Sequence, residues 1–188
     1  MKKKFISILL VLVISVGALF AATASGSHSS KLPSSRLGLG VAVGYPSIDP
    51  ILTYTYSEPD NAFGFRLAAS AGISLYSGLG MHASLGGDWI FYKLEFTDTG
   101  SPEAENSVLD FSLGGSLSFT SWKGFDSTYI APAGVFTITY TFAKNWTVFT
   151  RNSFGYSIAL AKNSSSYFYY NFTVGFTYEF NLDGNKRK

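Results

Sequence analysis

His82 is the one histidine of this chain outside the N-terminal segment that carries His28, and Ser84 and Asp88 share its parity along an extended backbone. These three are the nearest the sequence comes to a base, a nucleophile and an acid. Residues two apart on a strand lie about 6 to 7 Å from each other, whereas a general base must come within about 3 Å of the group it deprotonates. The trio cannot work together along one strand, so His82 is expected near a rim as a solvated polar residue and no catalytic residue is assigned. The absence of cysteine removes thiol nucleophiles, thiolate metal sites and disulfides together. No His, Asp and Glu spacing suits a metal ion. Gly38-x-Gly40 and Gly78-x-Gly80 are not phosphate loops, because no helical pattern follows either, and no cofactor is expected.

A second group of residues has different chemistry. Arg36, Arg66, Lys93 and Arg151 equal Asp88, Glu95, Asp110 and Glu179 in number, and all eight fall on the polar side of an alternating pattern. In a narrow interior an isolated charge is expensive and a paired one is tolerable. Arg66, Asp88, Lys93, Glu95, Asp110, Arg151 and Glu179 are therefore expected to form a charge network filling a lumen. Which of them pair is not legible in the sequence.

The elements that position these residues repeat with period two. Leu37, Leu39, Val41, Val43 and Tyr45 alternate with Gly38, Gly40, Ala42 and Gly44, as the two faces of a strand require. Eight such segments are predicted: Arg36–Tyr45, Ile51–Ser57, Phe63–Tyr76, Met81–Thr97, Val108–Phe119, Thr128–Phe142, Trp146–Ala161 and Tyr167–Phe180. Turn-formers separate them, including Pro46 to Pro50, Glu58 to Asn61 and Asn163 to Ser165. Parity switches near Phe91 and Tyr92, which a β-bulge explains; a turn at Gly86 and Gly87 would instead split the segment in two.

The bulky apolar side chains share one face of each segment, while the other carries Gly, Ser, Thr, Ala and the sparse charges. A soluble barrel would place Lys and Glu in quantity on its outer, water-facing side. An eight-stranded lumen must instead be filled by small residues with a few large ones. The faces are thus inverted, with rings and aliphatics outward toward lipid, where a lone Arg or Lys at mid-depth would cost about 2 to 4 kcal/mol. The predicted fold is an all-β, eight-stranded antiparallel up-and-down transmembrane barrel. Aromatic girdles are expected at its rims: Tyr56, Phe63, Phe96, Phe142, Trp146, Tyr178 and Phe180 at one, and Tyr45, Phe119, Trp122, Tyr129 and Phe168 at the other. Trp122 and Phe125 are placed in a loop from Thr120 to Ser127, against headgroups.

Composition agrees. Charged residues make up 14% of the 188, while three Trp, twelve Tyr and seventeen Phe supply the rings, a balance unlike that of soluble domains. Lys2 to Lys4, an apolar run to Phe20 and Ala22-Thr23-Ala24 read as a secretory signal peptide. The expected organisation is a cleaved signal over 1–24, a polar leader over 25–35, the barrel over 36–180 and a polar basic tail over 181–188. Three of the 14 Lys and Arg fall in the signal, leaving 11 against 12 Asp and Glu, so no basic surface argues for nucleic acid.

The signal peptide, the alternating strands and the final aromatic strand resemble the small outer-membrane barrels of the OmpA-transmembrane, OmpX and OmpW type. Gly38-Leu39-Gly40-Val41-Ala42-Val43-Gly44-Tyr45-Pro46 and Gly87-Asp88-Trp89-Ile90-Phe91-Tyr92-Lys93 are similar to segments of such families. Thr173-x-Gly175-x-x-Tyr178-x-Phe180 is similar to the C-terminal signal that the barrel assembly machinery reads, although typical members stop at the last aromatic and this chain continues to Lys188. The signal peptide implies Sec-type export, the resemblance implies residence as a monomer in the bacterial outer membrane among its lipids, and the charged polar face implies a plugged lumen with a structural or surface role. The resemblance also implies an alternative, a narrow OmpW-like channel for a small solute, whose path inward Tyr76, Phe149, Tyr167 and Tyr169 would line or block. A soluble lipocalin-like binder and a lipid-modifying enzyme are the remaining readings.

Overall fold

A computed structural model describes residues 35–44, 47–58, 64–74, 79–96, 107–122, 127–142, 145–161 and 164–182. The predicted signal, the leader up to residue 34 and the tail from 183 onward lie outside these, as do Tyr45, Phe63, Tyr76 and Phe125. The described residues form eight strands: β1 Ser35–Gly44, β2 Ser47–Ser57, β3 Gly64–Ser74, β4 Gly80–Phe96, β5 Ser107–Trp122, β6 Ser127–Phe142, β7 Trp146–Ala159 and β8 Tyr167–Asn181. Each pairs antiparallel with its sequence neighbours, and β8 returns to β1 to close the barrel. Closure leaves no unpaired edge, which the period-two pattern alone could not guarantee. The strands run from 10 residues in β1 to 17 in β4.

The faces follow the predicted phase. Leu39, Val41, Leu52, Leu67, Leu85, Trp89, Leu113, Leu117, Phe154 and Phe176 are exposed on the outer wall, with Trp89 58% accessible. Ordinary soluble proteins rarely expose so continuous an apolar surface. Register carries every charged residue of the eight strands to the inner side. Outward rings cluster toward the end holding the barrel's N- and C-terminal strand ends. Trp146 stacks on Phe176 at 4.8 Å and meets Tyr178 edge-on at 4.7 Å, Tyr178 meets Phe180 at 5.1 Å, and Tyr56 lies against Phe65 at 5.6 Å. At the opposite end Tyr156 and Phe168 meet at 4.8 Å.

Three expectations need correction. First, Ser47 to Pro50 is strand: β2 spans 11 residues, and Val41 pairs with Pro50. Proline has no N–H for a ladder, and here the β2–β3 pairing skips Asp49 and Pro50 between Ile48↔Ile73 and Ile51↔Ser70. Pro132 is accommodated in the same way, where the β6–β7 pairing jumps from Ile130↔Ile158 to Ala133↔Gly155. Second, β5 continues to Trp122 and β6 begins at Ser127, so Trp122 belongs to a strand and not to a loop. Third, Trp122 and Tyr129 point inward and leave the second girdle. Pairing of Thr120 with Tyr129 and of Trp122 with Ser127 puts both on the lumen parity, and Trp122 is only 6% accessible. The outer wall also carries polar residues: Thr150 and Asn152 of β7 lie on it, and Asn152 Oδ1 accepts the Tyr170 hydroxyl at 2.6 Å, so that amide oxygen is satisfied without water.

β4 is one strand with a bulge where parity switched. Ile90 pairs with Ser112 and Tyr92 with Phe111, leaving Phe91 as the extra residue. The bulge keeps Asp88 upstream and Lys93 and Glu95 downstream on the lumen side. Deleting Phe91 alone therefore leaves these charges inside, whereas deleting Phe91 and Tyr92 together turns Lys93 and Glu95 outward. Heat-dependent gel mobility after refolding into micelles is expected to show a folded barrel for the first deletion and none for the second.

Candidate functional site in the barrel lumen

Inward residues divide the lumen into a filled half and an open half. The filled half lies toward the end with the strand termini. Arg66, from β3, crosses to β5 and grips Asp110 with one guanidinium nitrogen at 3.0 and 3.1 Å from the two carboxylate oxygens. Its remaining nitrogens donate to Thr139 Oγ1 at 2.7 Å and Thr55 Oγ1 at 3.3 Å. Arg36 pairs with Glu179 near the terminal rim and reaches Thr141 Oγ1 at 3.5 Å. Asp88 accepts from Thr137 Oγ1 at 2.9 Å and from Arg151 at 3.3 Å. Buried charges that keep both a counter-ion and further donors or acceptors escape most of the penalty of leaving water.

The structure thus brings together Arg66 with Asp110, Arg151 with Asp88, and Glu179 with Arg36. Lys93 and Glu95 stand closer to the same rim, and Lys93 Nζ donates to the Glu58 carbonyl at 3.3 Å. The threonines that complete the network, Thr55, Thr137, Thr139, Thr141, Thr147 and Thr177, are nearly inaccessible and were not singled out in the sequence. Their signal was present: Thr137, Thr139 and Thr141 alternate on one side of β6 in phase with Asp110 across the ladder. Among Arg66, Asp88, Thr137 and Thr139 the free space is about 10 Å³, scarcely room for one water.

Phe149 caps this half. Its ring joins Ala42, Ile51 and Ala68 in a small apolar layer across the lumen. The layer exists because Gly175 faces Phe149 on the neighbouring strand, where a Cβ would overlap the ring. Of the two possibilities for Phe149, lining or blocking a path, the structure shows blocking. Gly175 consequently has a packing role whatever else reads it. Thr173 and Gly175 face the lumen, and Tyr178 and Phe180 the outer wall, all on the strand that seals the barrel against β1.

Beyond Phe149 lies a cavity of about 340 Å³. Ser70 and Ser84 share a hydrogen bond of 2.9 Å in its wall. Trp122 donates its indole N–H to Ser74 Oγ at 2.7 Å, and Trp122, Tyr129 and Tyr167 form an edge-to-face series with centroids 5.5 and 5.7 Å apart. His82 stands near a rim, two residues after the start of β4, but is not solvated there. It is largely buried, with Nδ1 2.9 Å from Asp49 Oδ2, which also accepts the Ser47 hydroxyl at 2.7 Å. Asp49 was missed because it was assigned to a turn. Asp88, the acid expected beside His82, is committed to Arg151 and Thr137. Among the described residues no hydroxyl is hydrogen-bonded to the His82 ring, and no group of three His, Cys, Asp or Glu is arranged to hold a metal ion.

The fold is a closed eight-stranded up-and-down β-barrel whose charged side chains face inward and whose outer wall is mainly apolar. It is similar to two solved structures. One is Ail, the attachment invasion locus protein of Yersinia pestis, with 12% identity and a TM-score of 0.42 over 79% of this chain and 99% of that one. The other is Neisserial surface protein A, NspA, with 15% identity and a TM-score of 0.43 over 79% of this chain and 96% of that one. No protein-family model and no curated protein matches the chain.

Asp110→Leu strands the Arg66 guanidinium and is expected to lower unfolding stability by about 3 to 5 kcal/mol, whereas the pair Arg66→Met with Asp110→Leu recovers most of that loss. Urea titration of the folded barrel in detergent reads both. Gly175→Val is expected to prevent closure through its clash with Phe149, and Phe149→Ala in the same chain to restore it, as read by heat-dependent mobility.

Proposed function

We propose that this protein is an integral β-barrel of a bacterial outer membrane with a structural or surface role, a lumen closed to solute flow and no catalytic step. The inverted distribution of its side chains carries the reading. An outer wall of Leu, Val, Ile, Phe and Trp faces hydrocarbon at no cost, and strands of 10 to 17 residues meet or exceed the about 9 to 11 needed to span it. The belt around Trp146, Tyr178 and Phe180 suits the interfacial region, where rings with a polar edge are favoured.

In this reading the end carrying the strand termini faces the periplasm and the cavity end faces outward. Export follows the Sec route directed by residues 1–24. The barrel assembly machinery engages β8 through Thr173, Gly175, Tyr178 and Phe180, since an extended strand with a free edge can add to an open sheet before it closes on its own first strand. The folded barrel is a monomer in lipid and binds no nucleic acid. A narrow channel, the alternative, needs a continuous path, and Phe149 above the Arg66 and Asp88 networks interrupts one.

Membranes carrying the protein are expected to retain it through a carbonate wash and to release it only with detergent. Purified protein in planar bilayers is expected to give no stable single-channel steps. Release by carbonate would overturn the membrane assignment, and reproducible unitary currents the closed lumen.

A further inference from the structure

We infer that the cavity above Phe149 is a blind cup that binds one small, neutral, polyhydroxylated molecule of about monosaccharide size. At about 340 Å³ it falls at the lower end of the range of roughly 300 to 1,000 Å³ typical of small-ligand sites. It is closed beneath by the Phe149 layer, so a molecule entering it has no exit through the barrel. The inference goes beyond the role proposed above and needs only the barrel geometry.

Two unused acceptors point to the ligand. Asp49 lines the cup at 4% accessibility, and while its Oδ2 takes Ser47 and His82, its Oδ1 has no hydrogen-bond partner. Asn171 lines the same cup from β8, and its Oδ1 is likewise buried and unpartnered. Buried acceptors without donors are costly and uncommon in folded proteins, so a site holding two of them is built for something that donates. Glycines adjoin both: a Cβ on Gly72 would lie 2.5 Å from Asp49 Oδ1, and one on Gly44 3.3 Å from Asn171 Oδ1.

The remaining lining narrows the class. Ser84, Ser116, Ser118 and Thr120 present hydroxyls that can donate or accept, which suits ligand hydroxyls and not a purely donating ammonium. Arg151 faces Asp88, and Asp49 is already held by the His82 ring and the Ser47 hydroxyl. Trp122, Tyr167 and Tyr169 add apolar walls against which the C–H face of a sugar ring can pack. Hydroxyls around an apolar ring match this combination.

The test uses the full barrel in zwitterionic micelles free of glycosidic detergent. Trp89→Phe and Trp146→Phe leave Trp122 as the sole indole reporter, and D-glucose, myo-inositol and ethanolammonium chloride are the probes. Saturable change in Trp122 fluorescence is expected with glucose or inositol, at a dissociation constant of about 1 mM or below, with saturation-transfer NMR on the unsubstituted protein giving the same constant. Asn171→Leu is expected to weaken binding about tenfold and Ser84→Phe, which fills the cup, to abolish it, each with heat-dependent mobility unchanged. No saturation by either polyol up to about 100 mM would overturn the proposal. Binding that survives Ser84→Phe would overturn the location, and preferential binding of ethanolammonium would overturn the neutral ligand class.

Discussion

A charge that cannot face outward must be accommodated inward, and in an eight-stranded cylinder inward means within reach of the opposite wall. That constraint orders the whole molecule. Nine ionic residues occupy the strands, one on most of them and three on β4, and every one points to the lumen. In the filled half there is no room for each to keep its own water, so Arg66 with Asp110, Arg151 with Asp88 and Arg36 with Glu179 are held by one another and by threonine hydroxyls, while Asp49 in the open half is held by Ser47 and His82. Arg66 exemplifies the solution, because one of its nitrogens meets both oxygens of the Asp110 carboxylate while the other two reach Thr55 and Thr139 on two further strands. Four strands are tied across the lumen by this one side chain, in addition to the ladder hydrogen bonds between neighbours.

Packing then divides the interior. Where the inward residues are threonine and ion pairs, the lumen is solid; where they are serine, alanine and glycine, it is open. The boundary is Phe149, whose ring requires the missing side chain at Gly175. The same glycine belongs to the segment that resembles an assembly signal, so one residue can satisfy a sequence read in the extended state and a shape needed in the closed one. The rigid half gives the barrel its cross-braces, and the open half has the concave, polar and aromatic character of a ligand site.

Much of this was legible because strand parity is a strict rule. The outer wall, the inward charges and the bulge at Phe91 all follow from counting by two, and the bulge was visible because apolar residues change parity there. Three kinds of feature were not. Pro50 reads as a turn-former, whereas a closed sheet accommodates it by leaving two rungs unpaired, and the same reading hides Asp49, the partner of His82. Trp122 lies past the predicted end of β5, and Tyr129, inside the predicted β6, shares the parity of Thr137 and Thr139, so both stand in the mouth of the lumen and not on the outer rim. Ion pairing was invisible because it depends on how the strands are staggered around the barrel: Arg66 and Asp110 are 44 residues apart and two strands apart, and no local pattern encodes that meeting.

The inversion of the two faces is tested most directly by lipid contact at single indoles. Three variants, each retaining only Trp89, Trp122 or Trp146, are reconstituted into vesicles whose acyl chains carry bromine at defined depths. Trp89 on the outer wall is predicted to be strongly quenched, Trp146 to be quenched best by shallow bromines, and Trp122 in the lumen to be nearly insensitive. Strong quenching of Trp122 with little effect on Trp89 would contradict the account, because it would mean that the apolar wall described here does not face the lipid.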